Sequence, residues 1–203
     1  MVLGEYTDLR VDRYDRVFVI TMQKAPENRL NVRFTQEIIR ALRDIEQELG
    51  PDSEGCVQRC STTLLTGHTF GGACPFALAH DYRIMNFSRG FFSMPPVDLG
   101  LHFPGIGYLP RLKLHPQIAR KMLLEAHRWT GKTAYEDGIV DEVANPEEML
   151  AVALKKASEI QGKAKMGVYS LLRNELWGEA AEKIRGICYV HGRIVTAPAR
   201  AKI

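Results

Sequence analysis

The chain has 203 residues, 45% hydrophobic and 25% charged, with a formal net charge of +3. That is ordinary globular composition, long enough for a well-buried core, and the small, dispersed charge argues against a nucleic-acid partner. No apolar run is long enough to span a bilayer, and Met1–Asp8 lacks the basic start and apolar core of a secretory signal, so neither a membrane span nor export is expected. Cys56, Cys60, Cys74 and Cys188 complete no zinc-ligand spacing and read as reduced thiols, so no metal is expected.

In chain order, Leu9–Val11 and Val17–Met22 read as strands of a hairpin with its turn at Asp12–Asp15. Lys24–Leu30 reads as a loop. A helix is predicted over Val32–Leu49, with Phe34, Ile38, Leu42, Ile45 and Leu49 as its apolar stripe and Gly50-Pro51 as its stop. Residues 51–61 carry little pattern. Thr62–Thr66 reads as a buried strand feeding a small-residue loop, Gly67–Cys74, which runs into an apolar helical pattern over Pro75–Tyr82. Strands are expected near Tyr82–Asn86 and Gly90–Met94. Ile118, Met122 and Ala126 share a helical stripe. Asn145 reads as a helix cap, with Pro146 at the first position, Glu148 reaching back, and Leu150, Ala153, Leu154, Ala157 and Ile160 as the buried face. Val168–Val195 reads as one or two helices interrupted by Gly178 and Gly186. The pattern is α/β, with a core over residues 1–145 and a helical C-terminal region over 146–203.

The Gly67–Cys74 loop carries the chemistry. Gly71 and Gly72 permit a sharp turn and close approach of a ligand to the backbone. The N–H groups of the helix start then favour negative charge, which suits the oxyanion of a transition state. The plain alternative is a tight turn. Cys74 reads as a small buried residue, not a nucleophile.

Gly67-His68-Thr69-Phe70-Gly71-Gly72-Ala73-Cys74 followed by Asp81-Tyr82-Arg83-Ile84 resembles the GHxxGGG…DYRI signature of the crotonase (enoyl-CoA hydratase/isomerase) superfamily. Met94–Leu101 and Thr130–Asp141 resemble two further segments of that family. The look is nearest to its enoyl-CoA isomerases. The resemblance implies a crotonase-like spiral of ββα units with a helical C-terminal trimerisation region. It implies an acyl-CoA thioester substrate, no separate cofactor, assembly as a homotrimer or hexamer, and Gly72 as an oxyanion donor beside Gly71. Whether the reaction is isomerisation or hydration, and whether it serves fatty-acid β-oxidation or acyl-chain tailoring of a secondary metabolite or toxin, stays open.

Three departures accompany the resemblance. The AGAD-type segment that supplies the family's second donor is absent between Gly50 and Thr62. Pro75 and Pro96 stand where hydratases carry glutamates, and neither can move a proton. Asp98 and His102 are the remaining candidate bases, Asp98 having a structural hydrogen-bonding role as its alternative; His68 is a further candidate, and His80 reads as a surface or capping residue. These departures motivate a second reading, a crotonase-fold subunit that acts through protein–protein interaction. Asn28-Arg29-Leu30 matches a loop that helps hold the CoA nucleotide. The terminal Ala201-Lys202-Ile203 resembles the Ser-Lys-Leu address read by the peroxisomal import receptor, so a peroxisomal location is expected, with the cytoplasm as alternative.

Overall fold

The computed structural model describes residues 4–50, 60–102, 105–163 and 167–188. The chain divides into two units, the first built from residues before Cys60 and the second from Cys60 onward, apart from a few residues around Gly167.

In the first unit, strands β1 (Leu9–Tyr14) and β2 (Val17–Met22) pair antiparallel from Leu9↔Met22 to Tyr14↔Val17. That register leaves only Asp15 and Arg16 for the turn, and Asp15 takes φ +55° to close it. The first strand therefore runs three residues beyond the expected Val11. Helix α1 (Val32–Leu49) has the predicted bounds, and the Asn31 side chain caps it by accepting from Phe34 N–H at 2.9 Å. Its buried residues are Phe34, Ile38, Ala41 and Ile45, which pack with Leu9 and Val11. Leu42 and Leu49 are exposed. The reason is angular: spacings of four, three and four define one straight face, and Leu42 lies about 100° around from Ala41. Each large buried side chain contributes about 1.5–3 kcal/mol. The exposed Arg13–Glu48 ion pair, at 2.8 Å, adds about 0–1 kcal/mol, so burial holds the helix down.

The second unit has a parallel sheet ordered β3 (Thr62–Leu65), β5 (Tyr82–Asn86), β7 (Glu142–Ala144). A smaller parallel pair joins β4 (Thr69–Phe70) to β6 (Phe92–Ser93). Helices α2 (Ala73–Leu78), α3 (Pro96–Leu99), α4 (Tyr108–Lys113), α5 (Pro116–Leu124), α6 (Gly131–Glu136), α7 (Met149–Gln161) and α8 (Val168–Cys188) complete it. Phe92, Met94, Met122 and Trp129 are fully buried in its main core. The Trp129 indole N–H reaches Asp137 at 2.8 Å, so the ring is buried without an orphaned donor.

Several expectations need correction. The pattern over Pro75–Tyr82 ends as helix at Leu78, because Tyr82 must pair with Thr62. Of Gly90–Met94 only Phe92 and Ser93 pair. Ala126 lies beyond the end of α5 at φ +48°, yet it is buried. Asn145 caps a turn rather than the helix: its carbonyl accepts from Glu148 and Met149, and α7 begins at Met149. Glu148 does reach back, accepting from the Asn145 side chain at 3.1 Å. Along α7 only Met149 is buried, and Leu150, Ala153, Leu154, Ala157 and Ile160 are half-buried. Helix α8 runs through Gly178 and Gly186 without interruption to Cys188; a Cβ at Gly178 would meet the Asn174 side-chain oxygen at 2.5 Å. The remainder of the predicted Val168–Val195 stretch lies outside the described residues, as do Cys56 and the terminal Ala201-Lys202-Ile203.

Two outcomes follow. A Cβ at Gly90 would overlap the Gly67 carbonyl, and Gly90 sits at φ +97°, whereas Gly162 has open space around it at φ −65°. Gly90→Ala is expected to lower unfolding free energy by at least about 2 kcal/mol, and Gly162→Ala to change it by less than about 1 kcal/mol, in urea titrations. Glu37 accepts from Thr7 N–H at 2.6 Å and Asp8 N–H at 2.8 Å, with Arg40 at 3.6 Å. Burial raises its pKa, but those two bonds and the nearby guanidinium outweigh it and hold the carboxyl below its usual range. Its stabilisation is therefore present at neutral pH and lost as pH falls through the depressed value. Glu37→Gln should flatten the decline of stability between neutral pH and about pH 3.

Candidate active site

Strand β4 leads into α2 through a reversal at Gly71 and Gly72. Thr69 N–H bonds Phe91 O at 2.8 Å, and Gly71 N–H bonds Ser93 O at 3.1 Å. Gly71 then takes φ +57°, a left-handed turn that a side chain would strain. Gly72 follows in helical geometry at φ −61°, ψ −19°. The buried Cys74 thiol lies 3.2 Å from Thr69 O and 3.1 Å from Ser93 O, tying the helix start to both strands. Burial pushes that thiol well above its usual pKa, so it stays protonated and serves as a structural donor.

This geometry decides where the first-turn amides go. Cys74 N–H is used by Gly71 O at 3.0 Å, and Pro75 has no N–H. Gly72 and Ala73 N–H groups have no acceptor among the described residues. Gly72 is exposed, and a Cβ built on Gly71 or Gly72 would meet nothing within 4 Å. Two adjacent amides thus lack acceptors among the described residues, beside space left open at the Gly72 Cβ position. The sequence singles out Gly72, and the missing N–H of Pro75 together with the bonded Cys74 N–H leaves Gly72 and Ala73 as the open donors of this turn.

Pro96 opens α3, Pro95 O accepts from Asp98 N–H at 3.1 Å, and Gly100 closes the helix at φ +63°. Asp98 and His102 are exposed, and their side chains have no hydrogen-bond partner among the described residues. Neither group is joined to the Gly72 amides by a hydrogen bond among the described residues. His68 is exposed between the rings of Phe70 and Phe91, at 5.1 and 5.6 Å. His80 Nδ1 lies 2.9 Å from Phe76 O, a capping position at the end of α2, and burial holds its pKa below the usual value.

In the first unit, Asn28 closes the loop after β2: its Oδ1 accepts from Lys24 N–H at 2.9 Å and its Nδ2 donates to Met22 O at 3.2 Å. Arg29 pairs with Glu27 at 2.6 Å and is 83% exposed. An exposed pair of that kind is worth about 0–1 kcal/mol, so the guanidinium is exchangeable onto another anion. Leu30 is exposed.

These elements are those of the crotonase fold. A solved structure of a probable enoyl-CoA hydratase from Mycobacterium tuberculosis superposes with a TM-score of 0.78 at 19% identity, covering 91% of this chain and 94% of that one. The enoyl-CoA hydratase/isomerase family model matches residues 61–180, and the chain belongs to that family. It is 35% identical over 106 residues to the crotonyl-CoA hydratase of Syntrophomonas wolfei, covering 51% of this chain and 40% of that protein. It is 31% identical over 139 residues to the peroxisomal enoyl-CoA delta isomerase 2 of Arabidopsis thaliana, covering 66% of this chain and 56% of that protein. The chain thus spans about half the length of the curated relatives it matches.

The contrast between the two glycines is measurable. Gly71→Ala should cost about 1–2 kcal/mol of stability through its positive φ, and Gly72→Ala less than about 1 kcal/mol, in parallel denaturant titrations.

Proposed function

We propose that the protein processes an acyl-CoA thioester as an enoyl-CoA isomerase or hydratase-like enzyme, with Gly72 and Ala73 N–H groups holding the enolate oxygen. The observation that carries this reading is the pair of amides without acceptors beside empty space at Gly72. In the reaction, a base removes a proton from carbon next to the thioester carbonyl. The electron pair moves onto the carbonyl oxygen, the amides stabilise that charge, and reprotonation at another carbon returns the thioester. Preorganised donors of this kind are worth about 10²–10³ in rate each. Asp98 and His102 are the candidates for the proton carrier, and Asn28, Arg29 and Leu30 for contact with the CoA moiety. The substrate serves fatty-acid β-oxidation or acyl-chain tailoring of a secondary metabolite or toxin.

A second reading, a crotonase-fold subunit that acts by binding partners, rests on Pro75 and Pro96, which cannot transfer protons. Helix α8 supports self-association in either case, because Val168, Leu171, Leu172 and Leu176 are exposed along it; a homotrimer or hexamer is the proposed assembly. A peroxisomal location, reached through the import receptor, is proposed from Ala201-Lys202-Ile203. It is supported by the peroxisomal Arabidopsis relatives. No helix among the described residues is long and apolar enough to cross a membrane.

Gly72→Val places a branched side chain into the open space at the amides. Turnover of 3-enoyl-CoA or 2-enoyl-CoA by the unsubstituted chain is expected, with a drop of at least about 10² in kcat/KM for the variant and an unchanged unfolding midpoint. An unsubstituted chain that assembles but turns over neither substrate supports the binding role instead.

A further inference from the structure

The second unit contains a cleft of about 300 Å³ lined by residues that the acyl-CoA reading leaves unused, among them Asp81, Tyr82, Arg83, Lys113, Tyr169 and Trp177. Its charges are almost fully matched. Arg83 is buried; its Nε donates to Ile139 O at 2.7 Å, its Nη1 to His80 O at 3.0 Å, and its Nη2 lies 3.0 Å from Asp141. Asp81 is also buried. One of its oxygens pairs with Arg173, and the other accepts from Ser61 N–H at 2.8 Å and Ser61 Oγ at 3.1 Å. Each carboxylate of the cluster therefore has its own guanidinium.

Lys113 is the exception. Its ammonium donates to His80 O at 2.7 Å and lies 3.7 Å from the centre of the Trp177 ring, and it has no carboxylate within 4.0 Å among the described residues. An ammonium carries three donors, so capacity for a further acceptor remains. Burial and the neighbouring Arg83 lower its pKa to about 8, so it remains a cation at neutral pH. A half-buried cation without a counter-charge is costly, and a bound anion removes that cost.

The surroundings select the anion. One positive charge is uncompensated, which matches a monoanion. Asp81 and Asp141 in the lining oppose a phosphate dianion. Tyr82, Tyr169 and Trp177 offer ring surface to an apolar body, and the volume sits at the small end of the range for organic ligands. We propose that this cleft binds a small organic carboxylate, with Lys113 as its counter-ion and the Tyr82, Tyr169 and Trp177 rings around its hydrocarbon part.

The test is titration of the uniformly ¹⁵N-labelled full chain with butyrate, read on the two tryptophan indole signals and assigned with Trp177→Phe. The expected result is a saturable shift of the Trp177 indole at constant ionic strength, binding at least tenfold weaker in Lys113→Gln, and no saturation with butyramide or inorganic phosphate. Saturation by butyramide at the same concentration overturns the role of the charge, and this comparison needs no variant should Lys113→Gln fail to fold. A Trp177 shift that does not saturate with butyrate, equal affinity in a folded Lys113→Gln, or equal saturation by phosphate overturns the proposal.

Discussion

The left-handed turn at Gly71 is the constraint on which the candidate site depends. It reverses the chain between β4 and α2 while Gly71 N–H stays bonded to Ser93 and the Cys74 thiol clamps the helix start to both short strands. A right-handed residue at that position would carry the chain onward and place the Gly72 and Ala73 amides elsewhere. The buried shell around Phe92, Ser93 and Trp129 holds the turn: Phe92 and Trp129 exchange backbone bonds at 2.8 and 3.0 Å, and Ser93 Oγ bonds Ala126 O at 3.0 Å. Rigid strands thus fix a small piece of exposed backbone, the arrangement that electrostatic stabilisation of a transition state requires.

The chemistry on either side of that turn is uneven. The backbone around Gly72 and Ala73 is fixed by hydrogen bonds, whereas Asp98 and His102 are exposed. Pro75 sits in the first turn of α2 and Pro96 opens α3, positions where proline is well tolerated because no helical N–H is lost there. Both prolines therefore fit the local fold, and neither side chain can transfer a proton. Backbone electrostatics survives such exchanges because it depends on chain direction rather than on side chains.

Much of this was legible from the residues. The bounds of α1 were written in its period and in the Gly50-Pro51 stop, and β5 falls where a strand was expected, over Tyr82–Asn86. The glycine loop and its helix followed from the pairing of small residues with an apolar stretch. What failed to show was tertiary in origin. Ala41 rather than Leu42 is buried because the hairpin meets one narrow face of α1. The Asn145–Glu148 cap signal was spent on a turn, since Asn145 O already accepts from Glu148 and Met149. Gly178 reads as a break but lies inside α8, where the Asn174 side chain occupies the place of a Cβ. The cluster of Asp81, Arg83, Lys113, Asp141 and Arg173 was invisible because its members lie on β5, α4, α8 and two bends far apart in sequence and meet only in the folded unit.

The central claim is that thioester oxygen charge is met by two backbone amides. The most direct measurement is a ¹H–¹⁵N titration of the full chain with a non-hydrolysable acyl-CoA thioether whose carbonyl is retained. The account predicts that the Gly72 and Ala73 amide signals move downfield together and saturate with the bulk binding curve, as new acceptors engage them. Saturable binding that leaves both signals in place, while other amides shift, would contradict it.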